Sequence, residues 1–88
     1  MTVPPFEANR ELIELSLRIG GHVRTRRQAR GMSRRMLSKN SGVSERYLAQ
    51  LETGNGNVTV GILHRLSLVF GCSVEDLIGG NARPNVEK

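Results

Sequence analysis

Aromatic residues are nearly absent from this sequence. Phe6, Tyr47 and Phe70 are the whole set and there is no Trp, which argues against a surface that reads nucleic acid by stacking bases on rings. Cysteine is scarcer still: Cys72 stands alone, so neither an intrachain disulfide nor a cysteine-based zinc cage can form. Apolar runs reach only a few residues, far short of the roughly 20 that span a bilayer. No basic segment leads into an apolar core and a small-residue cleavage site at the N-terminus. These absences point to a reducing, cytoplasmic compartment and away from membranes. Eighty-eight residues make one domain, with no room for a second core.

What is present in quantity is arginine, and it is clustered. Between Arg18 and Arg46 nine basic residues face one acid, Glu45, a local charge of +8. The rest of the chain sets four bases against seven acids, a charge of −3. Such asymmetry gives one part of the molecule a field that polyanions feel. Eight of the nine are arginines, whose planar fork suits phosphates and guanine edges. Charge alone leaves nucleic acid, anionic lipid and acidic protein open.

The pattern of apolar residues predicts an all-α fold of five helices. Met1 to Pro5 read as a loose end, because Pro4-Pro5 blocks regular structure. Leu12, Leu15, Ile19 and Val23 then recur at helical steps from about Phe6 to Arg30. Gly20-Gly21 interrupts this stripe, which predicts either a break or the close approach of another helix. Gly31 closes it. Ser33 caps a short helix, Arg34 to Asn40, with Met36 and Leu37 expected inward. Gly42 suits the positive φ of a tight helix-to-helix turn. Ser44 caps a third helix, with Leu48 and Leu51 inward, stopping at Gly54. Thr59 caps a fourth, carrying Leu63, Leu66, Val69 and Phe70 and ending at Gly71. Ser73 and Asp76 form a capping box for a last turn through Ile78. The organisation expected is a flexible N-terminal segment over 1–10, a folded domain over 11–80, and a tail or linker over 81–88.

The segment from Arg34 to Thr53 has the spacing of a helix-turn-helix. Leu37, Val43, Leu48 and Leu51 form its apolar skeleton, Ser38 is small at the expected crossing, and Gly42 sits in the turn. A small side chain there lets the second helix lie across the first, and the open turn aims it outward. A helix presented that way fits the major groove, about 12 Å wide.

These residues resemble the lambda-repressor-like, XRE-type helix-turn-helix domains. The likeness runs from about Ile19 to Ile78, through Ile19-Gly20, Val23-Arg24, Leu37, Gly42-Val43-Ser44 and Leu51-Glu52-Thr53-Gly54, and on to Leu63, Leu66 and Leu77. The chain departs from the family's habit at Arg34, where Gln is common, at Ser38, where Ala is usual, and at Val58, where Pro is frequent. The resemblance implies a third helix over 45–53 that reads bases through Glu45, Arg46 and Gln50. Their chemistry suits cytosine N4, guanine O6 and N7, and adenine N6 and N7 in turn. It implies phosphate contacts from Arg34, Lys39, Ser44, Tyr47, Asn55 and Asn57, with simple packing an equal alternative for Tyr47. It also implies an internal ion pair between Arg27 and Glu52. Gly42 to Gly54, followed by Gly56-Asn57-Val58-Thr59, further resembles the N-terminal domain of benzoyl-CoA-responsive regulators of aromatic catabolism. On that likeness the chain is the DNA-binding part, Asn81 to Lys88 begin a linker, and any small-molecule effector acts through another domain.

Other reactive residues read as structural. His22 and His64 have no carboxylate or cysteine at metal spacing and are expected as solvated helix residues. Cys72 has no histidine near it in sequence and is expected as a small buried hydrophobe. Glu7, Glu11 and Glu14 favour the start of a helix. No enzyme, cofactor or metal site emerges. The expected function is a sequence-specific regulator of transcription, a repressor, bound to double-stranded DNA. One helix reads only about four or five base pairs, so useful specificity calls for a homodimer. Leu12, Ile13 and Leu17, or Ile62 and Val69, are candidates for its surface, with core packing expected for most of them. The alternatives are an antitoxin that binds a toxin and its own operator, and a basic RNA-binding adaptor.

Overall fold

A computed structural model describes residues 5–55 and 57–79, with side chains from Asn9 onward. Five helices and no strand occur among the described residues: α1 (Pro5–Ala29), α2 (Arg34–Ser41), α3 (Glu45–Glu52), α4 (Val60–Phe70) and α5 (Val74–Ile78). The chain is therefore all-α, as the periodicity predicts. Each of the last four helices starts on a hydroxyl that accepts a backbone N–H three residues on: Ser33 from Met36, Ser44 from Tyr47, Thr59 from Ile62 and Ser73 from Asp76. Such caps satisfy donors that have no partner within the helix. Asp76 completes its box by accepting the Ser73 N–H at 3.1 Å, and these bonds hold its carboxyl below the usual range.

Each of the five helices contributes to a single core. Ile19 and Val23 from α1 meet Leu37 of α2, Val43 of the turn and Leu48 and Leu51 of α3, while Leu63, Leu66 and Phe70 of α4 and Leu77 of α5 close it. Each such side chain contributes on the order of 1.5–3 kcal/mol by leaving water. α1 packs on α3, α4 and α5, and α2 packs on α3 and α4. Two long-range bonds tie the ends of later elements to α1 and to the residue that follows it. Arg30 Nη2 donates to the Phe70 carbonyl at the end of α4 at 2.5 Å, and His22 Nε2 lies 2.8 Å from the Gly79 carbonyl.

Several expectations change. α1 begins at Pro5, one residue before the expected start, and of the two readings of Gly20-Gly21 it is the close approach of another helix that holds, with no break in α1. Residues 1–4 and the expected tail over 81–88 lie outside the described residues. α2 runs one residue further, to Ser41, and Thr53 is the cap of α3. Met36 is half exposed while Leu37 is fully buried: neighbours on a helix differ by about 100°, and only one of them can face this core. Leu12, Ile13 and Leu17 are more than half exposed rather than packed in the core. Ile62 and Val69 do pack against the core. His22 is half-buried against the end of α5 rather than solvated.

Candidate nucleic-acid interface

The geometry of α3 follows from two glycines. Gly42 caps α2 at φ 79° and donates its N–H to the Ser38 carbonyl, a left-handed conformation that glycine adopts at low cost. The chain turns there and restarts at Ser44 as α3. Gly20 of α1 lies under the far end of α3, where an added Cβ would stand 2.2 Å from the Leu51 carbonyl oxygen. Helix α3 thus rests directly on the α1 backbone. Its inner face holds Leu48, Leu51 and Glu52, all buried, and its outer face presents Glu45, Arg46 and Gln50, all exposed.

Glu52 anchors this arrangement. Arg27 Nε donates to Glu52 Oε2 at 2.7 Å and Arg27 Nη2 to Oε1 at 3.1 Å, a two-pronged pair between buried side chains. Arg27 Nη1 also donates to the Met32 carbonyl at 2.7 Å, so α1, the α1–α2 turn and α3 meet on one guanidinium. The hydrogen bond to Glu52 raises the Arg27 pKa, with desolvation opposing it. A third group joins: Arg34 Nε donates to Glu52 Oε1 at 3.1 Å, with the Arg34 side chain 42% exposed. Sequence reasoning missed this second arginine. Eighteen residues separate it from Glu52, and only folding brings the start of α2 over the end of α3.

Most of the residues expected at phosphates are exposed. Lys39, in the last turn of α2, is exposed, as are Ser44 and the Asn55 and Asn57 side chains of the loop beyond α3. Ser44 uses its oxygen as the cap and keeps its hydroxyl hydrogen. Asn55 is braced by donating Nδ2–H to Thr53 Oγ1 at 3.1 Å and its backbone N–H to the Gln50 carbonyl at 2.8 Å. Tyr47 differs from the phosphate role considered for it. Its hydroxyl donates to the Asn57 carbonyl, which spends its one hydrogen, and partial burial pushes the phenol pKa up. In this geometry Tyr47 braces the loop beyond α3.

Arg24, Arg35 and Arg46 are exposed, while the half-buried Arg26 lies toward Cys72 and Asp76. Among the described residues no three histidine, cysteine or carboxylate groups come together as metal ligands. Cys72 is half-buried, and burial pushes its thiol pKa up against the opposing charge of Arg26. No helix among the described residues is long and apolar enough to cross a membrane.

Comparison with known proteins agrees with this geometry. A helix-turn-helix family model matches residues 23–77. The crystal structure of the restriction-modification controller protein C.AhdI from Aeromonas hydrophila superposes with a TM-score of 0.68 at 26% identity, covering 70% of this chain and 94% of that one. No curated protein matches the chain. With α2, the Gly42 turn and an outward-facing α3 inside the matched span, the chain belongs to the helix-turn-helix family and is a DNA-binding regulator of transcription, not an enzyme.

Proposed function

We propose that this protein is a sequence-specific repressor that binds double-stranded DNA as a homodimer, with α3 of each copy in the major groove. The observation that carries this reading is the division of α3: Leu48, Leu51 and Glu52 are locked inward while Glu45, Arg46 and Gln50 stand free on a rigid base. Arg46 bonds guanine O6 and N7, Gln50 bonds adenine, and Glu45 accepts from cytosine N4. Lys39, Ser44, Asn55, Asn57 and the outward end of Arg34 hold the flanking phosphates and set the register.

Similarity to a controller protein supports a regulatory role over that of an antitoxin. The likeness of the Gly42-to-Thr59 segment to aromatic-catabolism regulators supports action at genes of that class. The test is selection of bound sequences from a random duplex pool, followed by titration of the selected duplex, a scrambled duplex and duplex RNA at several salt concentrations. A regulator of this kind prefers its selected duplex by about a thousandfold or more over scrambled DNA. Equal affinity for all three would leave only a basic adaptor.

A further inference from the structure

We infer that Glu52 is a positioning residue for DNA binding: through Arg34 it fixes the donors that grip one backbone phosphate. The inference rests on the phosphate role proposed for Arg34. The Glu52 side chain is fully buried, yet its one negative charge meets two arginines. Arg27 is consumed by the fold: its Nε and Nη2 donate to Glu52 and its Nη1 to the Met32 carbonyl. Arg34 gives up only Nε, at 3.1 Å to Glu52 Oε1. Its Nη1 and Nη2 make no hydrogen bond among the described residues, and the side chain is 42% exposed.

Two cations on one carboxylate leave a positive charge in excess, and that charge is held in place. A guanidinium tied at Nε keeps its Nη1–Nη2 edge free, and this edge matches two oxygens of one phosphate in parallel bonds. Placement in the fold adds a second reason. Arg34 opens α2, whose first turn also holds Arg35 and contains no acid. Positive charge is disfavoured at a helix start. Glu52 offsets part of that cost, and a phosphate at the free edge offsets the rest. Glu52 is also the last residue of α3. One carboxylate therefore joins the helix that grips the DNA backbone to the helix that carries Arg46 and Gln50, and sets the distance between grip and bases.

The test is titration of the selected duplex, followed by fluorescence anisotropy, with the full 88-residue chain and with Arg34→Ala, Arg34→Lys, Glu52→Gln and Glu52→Gln/Arg34→Ala. Circular dichroism at the titration temperature checks that each is folded. Arg34→Ala should weaken binding about tenfold, the worth of one charge-assisted bond. Arg34→Lys keeps the charge but has no fork to divide between carboxylate and phosphate, and should bind nearly as weakly. Glu52→Gln removes a negative charge, which on charge alone would tighten binding to DNA. It should instead weaken binding severalfold, and should change nothing further once Arg34 is alanine. Wild-type affinity in Arg34→Lys overturns the inference, as does tighter binding by Glu52→Gln. A Glu52→Gln loss of equal size with and without Arg34 also overturns it, because that marks a structural role alone. If Glu52→Gln does not fold, Arg34→Lys decides. A scrambled duplex titrated in parallel separates this inference from base reading. A protein that does not prefer its selected duplex, yet is weakened on both by Arg34→Lys, keeps the phosphate grip and loses the base-reading role. A strong preference that Arg34→Lys leaves untouched, with affinity unchanged, does the reverse.

Discussion

Gly20 faces the backbone of Leu51 so closely that a Cβ at position 20 would stand 2.2 Å from the Leu51 carbonyl oxygen and 3.0 Å from the Glu52 carbonyl carbon. Its neighbour Gly21 meets nothing within 4 Å. The two glycines are adjacent in one helix and equal in propensity, yet their alanine variants should move in opposite directions. Gly21→Ala should stabilise by about 0.5–1 kcal/mol, the helix propensity alone. Gly20→Ala should cost about 2–3 kcal/mol, because the obstructing atoms are backbone and cannot rotate away. Paired urea denaturation curves check this; equal shifts would mean that α3 does not rest on α1 there.

The three-member cluster at Glu52 predicts unequal losses. Glu52→Ala leaves the buried Arg27 charge without its partner and should destabilise by about 3–5 kcal/mol. Arg34→Ala removes a half-exposed partner and should cost about 1 kcal/mol or less in stability. On DNA the order reverses in kind: Arg34→Ala keeps the fold and weakens binding to all duplexes. Chemical denaturation and DNA titration of the same samples separate the two roles.

Base readers and phosphate contacts should separate in the same way. Arg46→Ala should cost roughly 1–3 kcal/mol on the selected site and relax preference at one base pair. Lys39→Ala should weaken selected and random duplexes alike and lower the salt slope by about one. If Arg46→Ala weakens random DNA equally, that side chain touches only the backbone.

Asp76 makes stability depend on acid. Its folded pKa lies below the ordinary value because it accepts the Ser73 N–H, so the unfolded chain binds its proton first. The contribution is therefore full above the unfolded pKa, about 3.9, and is lost as pH falls through the folded pKa below it. Thermal melts from pH 6 downward should show an acid loss that Asp76→Asn reduces. An identical acid profile for the variant would remove the capping box from the acid response.

Local chemistry is what the sequence makes legible. Ser33, Ser44, Thr59, Ser73 and Gly42 act within four residues of themselves, and each sits where its spacing predicts. The apolar skeleton of Leu37, Val43, Leu48 and Leu51 is equally legible, since helical period alone points these residues inward. What sequence does not carry is the meeting of distant elements. Gly20-Gly21 left a break and a close approach equally open, and only the position of Leu51 decides between them. Met36 stands about 100° round the helix from Leu37, and only Leu37 faces the core. Arg34 on Glu52, Tyr47 on Asn57 and His22 on Gly79 are each set by the angle between elements. For Leu12, Ile13 and Leu17, periodicity reports apolar residues but not whether another element covers them.

Whether α3 lies in the major groove is tested most directly by methylation protection at guanine N7, which opens only into that groove. The measurement uses the selected duplex with the wild-type protein and with Arg46→Ala. Protection of guanines in each half-site, with one guanine per half-site losing it in Arg46→Ala at saturating protein, is the predicted result. Guanines that stay fully reactive under saturating wild-type protein would contradict it.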